Sequence, residues 1–262
     1  MRNVAGALWC EVLKARRSRV PLLSALGFLL APLMGGFVMI ILKDPAFARR
    51  VGILRTKAEV LSGTADWPSY FGLLAQATAV GGVLVFALIT SWVFGREFVD
   101  RTAKDLLALP TPRSSIVSAK FVVSMVWTLL LALEVFGVGL AVGGIIGLPE
   151  WSGSVFAEAA ATMGVVTVLS MILLPPIAFI AGASRGYLAP MGFAIVVLVL
   201  AQVLAAVGWG PFFPWSVPAL SAGLGEPQES GLPLASYCTV LVTGAAGTLA
   251  TFLWWKYADH SG

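Results

Sequence analysis

Residues 94–121 read FGREFVDRTAKDLLALPTPRSSIVSAKF, and they are the most polar stretch of an otherwise oily chain. Long apolar runs flank the stretch on both sides. The chain has 262 residues, 58% hydrophobic and 11% charged. A soluble domain carries about 25% charged residues. That deficit excludes an ordinary soluble globule and predicts a membrane protein whose side chains mostly face lipid or other helices. The polar stretch is then a loop between two spans, and its content says what the loop does.

Six apolar runs are visible, at roughly 20–42, 71–94, 121–146, 156–181, 187–207 and 234–255. Each is long enough to cross a hydrocarbon core of about 30 Å at about 1.5 Å per helical residue. Backbone groups in hydrocarbon must bond to one another, so the runs are helices and the expected class is all-α. The basic residues orient them. Twelve of the 17 Lys and Arg fall in residues 1–19, in the 95–120 loop, at Arg185 and at Lys256. The other five, Lys43, Arg49, Arg50, Arg55 and Lys57, sit in the loop after the first run. Positive charge favours the cytoplasm, so both termini are expected there.

Three connecting segments carry their own pattern. Residues 1–19 place Val4, Leu8, Val12 and Leu13 on one face and bases at the end, as expected of a cytoplasmic interfacial helix. The weak basic start and the absence of a small-residue cleavage site argue against a signal peptide. Residues 44–63 alternate bases with Phe47, Val51, Leu54 and Val60, which predicts a second interfacial helix on the external side. Residues 208–233 are rich in Pro, Gly and aromatics. Trp209, Phe212, Phe213 and Trp215 are too apolar for a free aqueous loop, so the segment is expected to re-enter the outer leaflet.

Little in the chain supports catalysis. There is no G-x-x-x-x-G-K-[ST] phosphate loop and no H-E-x-x-H, and the G-x-S-x-G match, GASRG at 182–186, has no histidine nearby in sequence to serve a nucleophile elbow. The one histidine, His260, and the two distant cysteines, Cys10 and Cys238, make no metal-ligand spacing. No catalytic residue, metal site or bound cofactor is expected, and nothing points to nucleic acid. The GASRG turn at 182–186 is a helix connector. Glu134 lies about fourteen residues into the third run, where a carboxylate is costly. The roles open to it are facing a translocation path, pairing across a subunit interface or binding a cation, and the alternative is a protonated carboxyl hydrogen-bonded to a neighbouring helix. Gln76 and Gln202 are weaker candidates for the same places. Pro175–Pro176 should kink or break the fourth run.

In the opening stretch, Glu97–Arg101 and Arg101–Asp105 are i,i+4 pairs of opposite sign, which predict an exposed helix. Leu106, Leu107 and Leu109 give it an apolar edge, and Pro110 and Pro112 end it. A second short piece leads through Arg113, Ile116 and Lys120 into the third run. A charged helix with an apolar edge reads as a docking surface for a cytoplasmic partner.

From Glu97 to Phe121 the chain reads E-F-x-D-R-T-x-K-x-L-L-A-L-P-x-x-R-x-x-I-V-x-x-K-F. This resembles the signature of ABC-2 type transporter permeases, and most nearly their bacterial peptide-antibiotic immunity branch. Glu97, Thr102, Leu107, Pro110, Arg113 and Lys120 match its positions. The six-run layout and F-P-W-S-V-P-A at 213–219 also match. Asp100-Arg101 departs from it, since many members have a Gly before the Thr.

The resemblance implies an export permease in a bacterial cell membrane, pairing as a homo- or heterodimer. A separate nucleotide-binding ATPase would consume ATP and Mg. The coupling residues would be Glu97, Asp100, Arg101, Thr102, Lys104, Leu107, Pro110, Arg113 and Lys120. The external segment with Phe212, Phe213 and Trp215 would form part of an outer gate. The alternative is an ATP-independent secondary transporter or channel, for which Glu134 is the sole support and no internal repeat is seen.

Overall fold

The computed structural model describes residues 2–44, 64–102, 111–224 and 231–257. All helices and no strands occur among them. The N-terminal helix α1 covers Arg2–Arg17 and α2 covers Val20–Lys43. Two long helices follow, α3 over Trp67–Val99 and α4 over Arg113–Ile146. Next come α5 (Gly153–Ile172), α6 (Leu174–Ala183) and α7 (Leu188–Ala206). After two 3₁₀ turns the short α8 covers Val217–Ser221, and α9 runs Leu234–Tyr257. Taking α5 and α6 as one broken span, six helical segments are long and apolar enough to cross a membrane. The expected all-α, six-span class is what the structure has.

Local chemistry sets the ends. Asp66 caps α3 by accepting from the Ser69 amide at 2.8 Å, and Pro68 occupies the first turn. Ser152 caps α5 by accepting from the Val155 amide. At the far end of α4, Gly147 takes φ +66°, and Lys43 donates to the Ile146 and Gly147 carbonyls at 2.6 and 2.9 Å. One of the five bases that follow the first span thus serves a helix C-terminus.

The break in the fourth span falls at Leu173, two residues before Pro175. Neither proline has an amide hydrogen, so two carbonyls of the preceding turn lose their helical donors. The last helix packs on this break. A Cβ at Gly244 would stand 2.3 Å from the Ile172 carbonyl oxygen, and one at Gly247 would stand 2.4 Å from the Pro176 nitrogen. Thr251 donates to the Pro175 carbonyl at 3.3 Å. Glycine lets α9 approach the exposed backbone of the break that closely.

One end of the bundle gathers α1, the α3 and α6 C-termini, the α4 N-terminus and the end of α9. Glu11 meets Lys120 there, Arg113 meets the Trp255 carbonyl, and Gly95 lies against the Gly186 carbonyl. This is the basic end of the bundle. The opposite end holds an aromatic cluster of Trp67, Phe71, Phe136, Trp151 and Phe156, with neighbouring ring centroids 4.8–6.5 Å apart. Also at that end, residues 208–224 fold back on the bundle. Ser216, buried, donates to the Ala201 carbonyl, more than a turn inside the end of α7.

Several boundaries differ from the hydropathy reading. The third span begins at Arg113 instead of 121, because Ile116 and Val117 are buried and continue the helix without a joint. The separate short piece expected through Arg113 and Lys120 is therefore the first two turns of α4. The second span runs 67–99 instead of 71–94, and its 33 residues, about 50 Å at about 1.5 Å each, exceed a core of about 30 Å. In α1, Leu8 and Val12 face the core as expected, but Val4 is exposed, and Glu11 and Ala15 share the buried face. The expected helix in 44–63 lies outside the described residues, apart from Asp44.

Candidate functional site

Four charged side chains meet inside the basic end. Lys120, two turns into α4, is fully buried. It donates to both Glu97 carboxylate oxygens at 2.8 Å, to the Val93 carbonyl at 2.6 Å and to Glu11 Oε2 at 3.4 Å. Glu97 is 3% exposed, in the last turn of α3. Lys14 of α1 closes the group, with Nζ 2.6 Å from Glu11 Oε1 and 2.8 Å from Glu97 Oε1. Two acids and two bases make the cluster electrically neutral, which is the condition for burying charge. Burial alone would push the Lys14 ammonium down, but the Glu97 and Glu11 carboxylates outweigh it and hold its pKa above the ordinary lysine value. The cluster ties α1, α3 and α4 together at one point. Further in along α4, Ser124 and Thr128 follow Lys120 at one-turn intervals, both fully buried.

The end of α3 corrects the exposed-helix reading of the opening stretch. Thr102 N–H donates to the Glu97 carbonyl at 2.9 Å and Arg101 N–H to that of Phe98 at 3.3 Å. With Arg101 at φ +57°, these bonds form a Schellman motif that stops the helix. The expected Glu97–Arg101 pair therefore does not form. Arg101 is past the helix end, and Glu97 turns inward to Lys120 and Lys14. The pair that does form is one residue earlier, Arg96 to Asp100 at 3.1 Å. Arg96 also lies over the Trp92 ring at 5.0 Å and reaches the Lys14 carbonyl. The left-handed position held by Arg101 is one that glycine ordinarily fills.

Arg113, at the start of α4, donates to the Trp255 and Lys256 carbonyls at 3.2 and 3.3 Å, capping the end of α9. Thr102 is exposed. Lys104, Leu107 and Pro110 lie outside the described residues, as does the helix expected to carry them.

A family model described as ABC-2 family transporter protein matches residues 7–201. The chain belongs to the ABC-2 transporter family. It is 28% identical over 179 residues to the bacitracin transport permease protein BCRB of Bacillus licheniformis, a span covering 68% of this chain and 85% of that protein. No solved structure matches. This ABC-2 family member is thus a multi-pass membrane subunit of a transporter. The helix-end charges and the α3–α4 loop belong to the matched region.

The other candidates in this ABC-2 subunit are dispersed. Glu134 is half-buried on α4, at the inner end of an apolar groove between α1, α2 and α4. Gln76 of α3 donates to the Ala222 carbonyl at 3.4 Å and so pins the folded-back segment. Gln202 is exposed on α7. Trp215 meets Phe193 of α7 edge-on at 5.4 Å between centroids and Phe213 at a tilt at 5.8 Å, whereas Phe212 is 60% exposed. The structure does not bring Glu134, Gln76 and Gln202 to one place. Among the described residues no group of His, Cys, Asp or Glu has metal-binding form.

Sequence reading missed Glu11 and Lys14. The signal was present: Glu11 is a lone acid on the Leu8–Val12–Ala15 face, three residues before Lys14. An acid on the apolar face of an amphipathic helix needs a buried base to meet it. Lys120, eight residues after the last proline of the loop, was that base.

Proposed function

We propose that this subunit is the permease of an ATP-driven exporter, with the basic end in the cytoplasm. The observation that carries the reading is the buried Glu11–Lys14–Glu97–Lys120 cluster at the base of the α3–α4 loop, in a chain of the ABC-2 family. Residues 103–110, with Lys104, Leu107 and Pro110, form the docking surface for a separate nucleotide-binding ATPase, which binds ATP and Mg. Lys and Arg concentrate at this end, which supports its cytoplasmic placement.

The coupling follows from rigidity. A push on the loop reaches α3 through the Schellman turn at Arg101. Glu97 cannot slide past Lys120 without exposing an unpaired charge to a low-dielectric interior. The displacement therefore passes to α4 through Lys120 and to α1 through Glu11 and Lys14. Arg113 carries it to α9. Glu97 and Lys120 act as transmitters within the membrane subunit, while Lys104 and Leu107 make the contact. A second permease copy completes the path, and residues 208–224 with Phe212, Phe213 and Trp215 narrow its external end. A peptide antibiotic is the cargo class, on the strength of the name of the Bacillus licheniformis relative.

Inside-out vesicles containing the subunit and its ATPase test this directly. Labelled bacitracin should accumulate with ATP and not with ADP, and accumulation should survive a protonophore. Accumulation that needs no ATP and collapses with the protonophore would instead establish a secondary transporter.

A further inference from the structure

An open groove of about 690 Å³ lies on the outer surface of the bundle. Its walls are α1, the first turns of α2 and one face of α4. Along α4 it runs from Val122 to Glu134. Those twelve residue steps span about 18 Å at about 1.5 Å each, close to the depth of one leaflet of a core about 30 Å thick. Its floor is apolar, with Val12, Ala25, Trp127 and Leu131, and its lips are open: Leu22 is 62% exposed and Leu130 59%. Trp127 is fixed in the floor by a hydrogen bond from Nε1 to Ser24 Oγ at 3.1 Å.

The two ends differ. Arg16 lines the mouth at the basic end, and Arg17 and Arg19 stand beside it, all exposed. No acid pairs with these three among the described residues. Glu134 marks the deep end. An apolar trough one leaflet deep beneath a cluster of unpaired guanidinium groups complements one kind of occupant. Its chain fills the trough, and its phosphate meets the arginines.

We propose that this groove is a binding site for an anionic phospholipid, one acyl chain lying along α4 and the headgroup phosphate on Arg16, Arg17 and Arg19. The lipid would wedge α1 against α2 and α4 beside the buried charge cluster. The site rests on none of the ATPase or export reading and stands or falls separately from it.

Trp127 reports on the occupant. The full-length chain is reconstituted in phosphatidylcholine vesicles. They carry a small equal fraction of acyl-brominated phosphatidylglycerol or acyl-brominated phosphatidylcholine. Subtracting the quenching of Trp127→Phe isolates the groove. Leu130→Trp adds a second reporter on the lip should Trp127→Phe fail to accumulate. The expected result is a preference for phosphatidylglycerol of about fivefold or more, lost in the Arg16→Gln/Arg17→Gln/Arg19→Gln variant. Equal quenching by both lipids would overturn the proposal, showing only bulk lipid in the groove. Quenching by neither would overturn it too, showing that a protein segment or a second copy fills the space.

Discussion

Lys120 is the residue with most at stake. It is fully enclosed and held by Glu97, Glu11 and the Val93 carbonyl. Removing its charge leaves two acids against Lys14 alone, and breaking a buried ion pair from one side costs about 3–5 kcal/mol. Lys120→Met should therefore lower the apparent melting midpoint of the purified subunit sharply. Glu97→Gln combined with Lys120→Met should recover most of the loss. A single variant that melts like the parent would mean the cluster contributes nothing to the fold. At Arg101 the sign reverses. Its left-handed backbone costs a side-chain-bearing residue about 1–2 kcal/mol, so Arg101→Gly should stabilise the turn and slow amide exchange at Thr102. The departure at Asp100-Arg101 from the pattern that the sequence resembles is a backbone matter before it is a matter of charge. Residue roles were the least legible level. Helical spacing placed Glu97 beside Arg101, and only a tertiary contact between α1, α3 and α4 could show that it points inward. Glu97, Lys120 and Arg113 were singled out from their sequence positions, but the partners they have here were not readable from the loop alone.

At the level of elements, hydropathy found every span and misjudged where some of them end. It stops where charge begins, so it ended the second span at Phe94 and began the third at Phe121. Helix geometry carries on into the charged turns, because Glu97 and Lys120 neutralise each other and can be buried. The proline break was legible, since missing amide hydrogens are a property of the residue itself. The glycines that receive the break were not, for nothing in α9 announces which face meets Pro176. Adding even a methyl group at Gly247 must displace backbone, so Gly247→Ala should destabilise the subunit by about 1–3 kcal/mol. Gly137→Ala meets no atom within 4 Å and should instead stabilise α4 by about 0.5–1 kcal/mol. Melting midpoints that move the same way in both variants would contradict the close approach of α9 to the break.

Across the whole molecule, composition excluded a soluble enzyme, and the count of apolar runs anticipated the six-span architecture. The charge asymmetry also matched the geometry: the elements bearing most of the Lys and Arg converge on one end, where they are used in pairs and caps. Lys14 and Lys120 bind acids, and Arg113 caps α9. On the other end Lys43 caps α4. Part of the basic count is thus structural, whereas Arg16, Arg17 and Arg19 are exposed and pair with no acid among the described residues. The proposed coupling makes the α3–α4 loop the handle of a lever. A photo-crosslinking residue in place of Leu107, compared with one in place of Trp151 at the opposite end, tests that claim in native membranes. The account predicts an ATP-hydrolysing partner crosslinked at 107 and none at 151. A partner ATPase captured at 151, or none at 107 in membranes where transport is active, would contradict it.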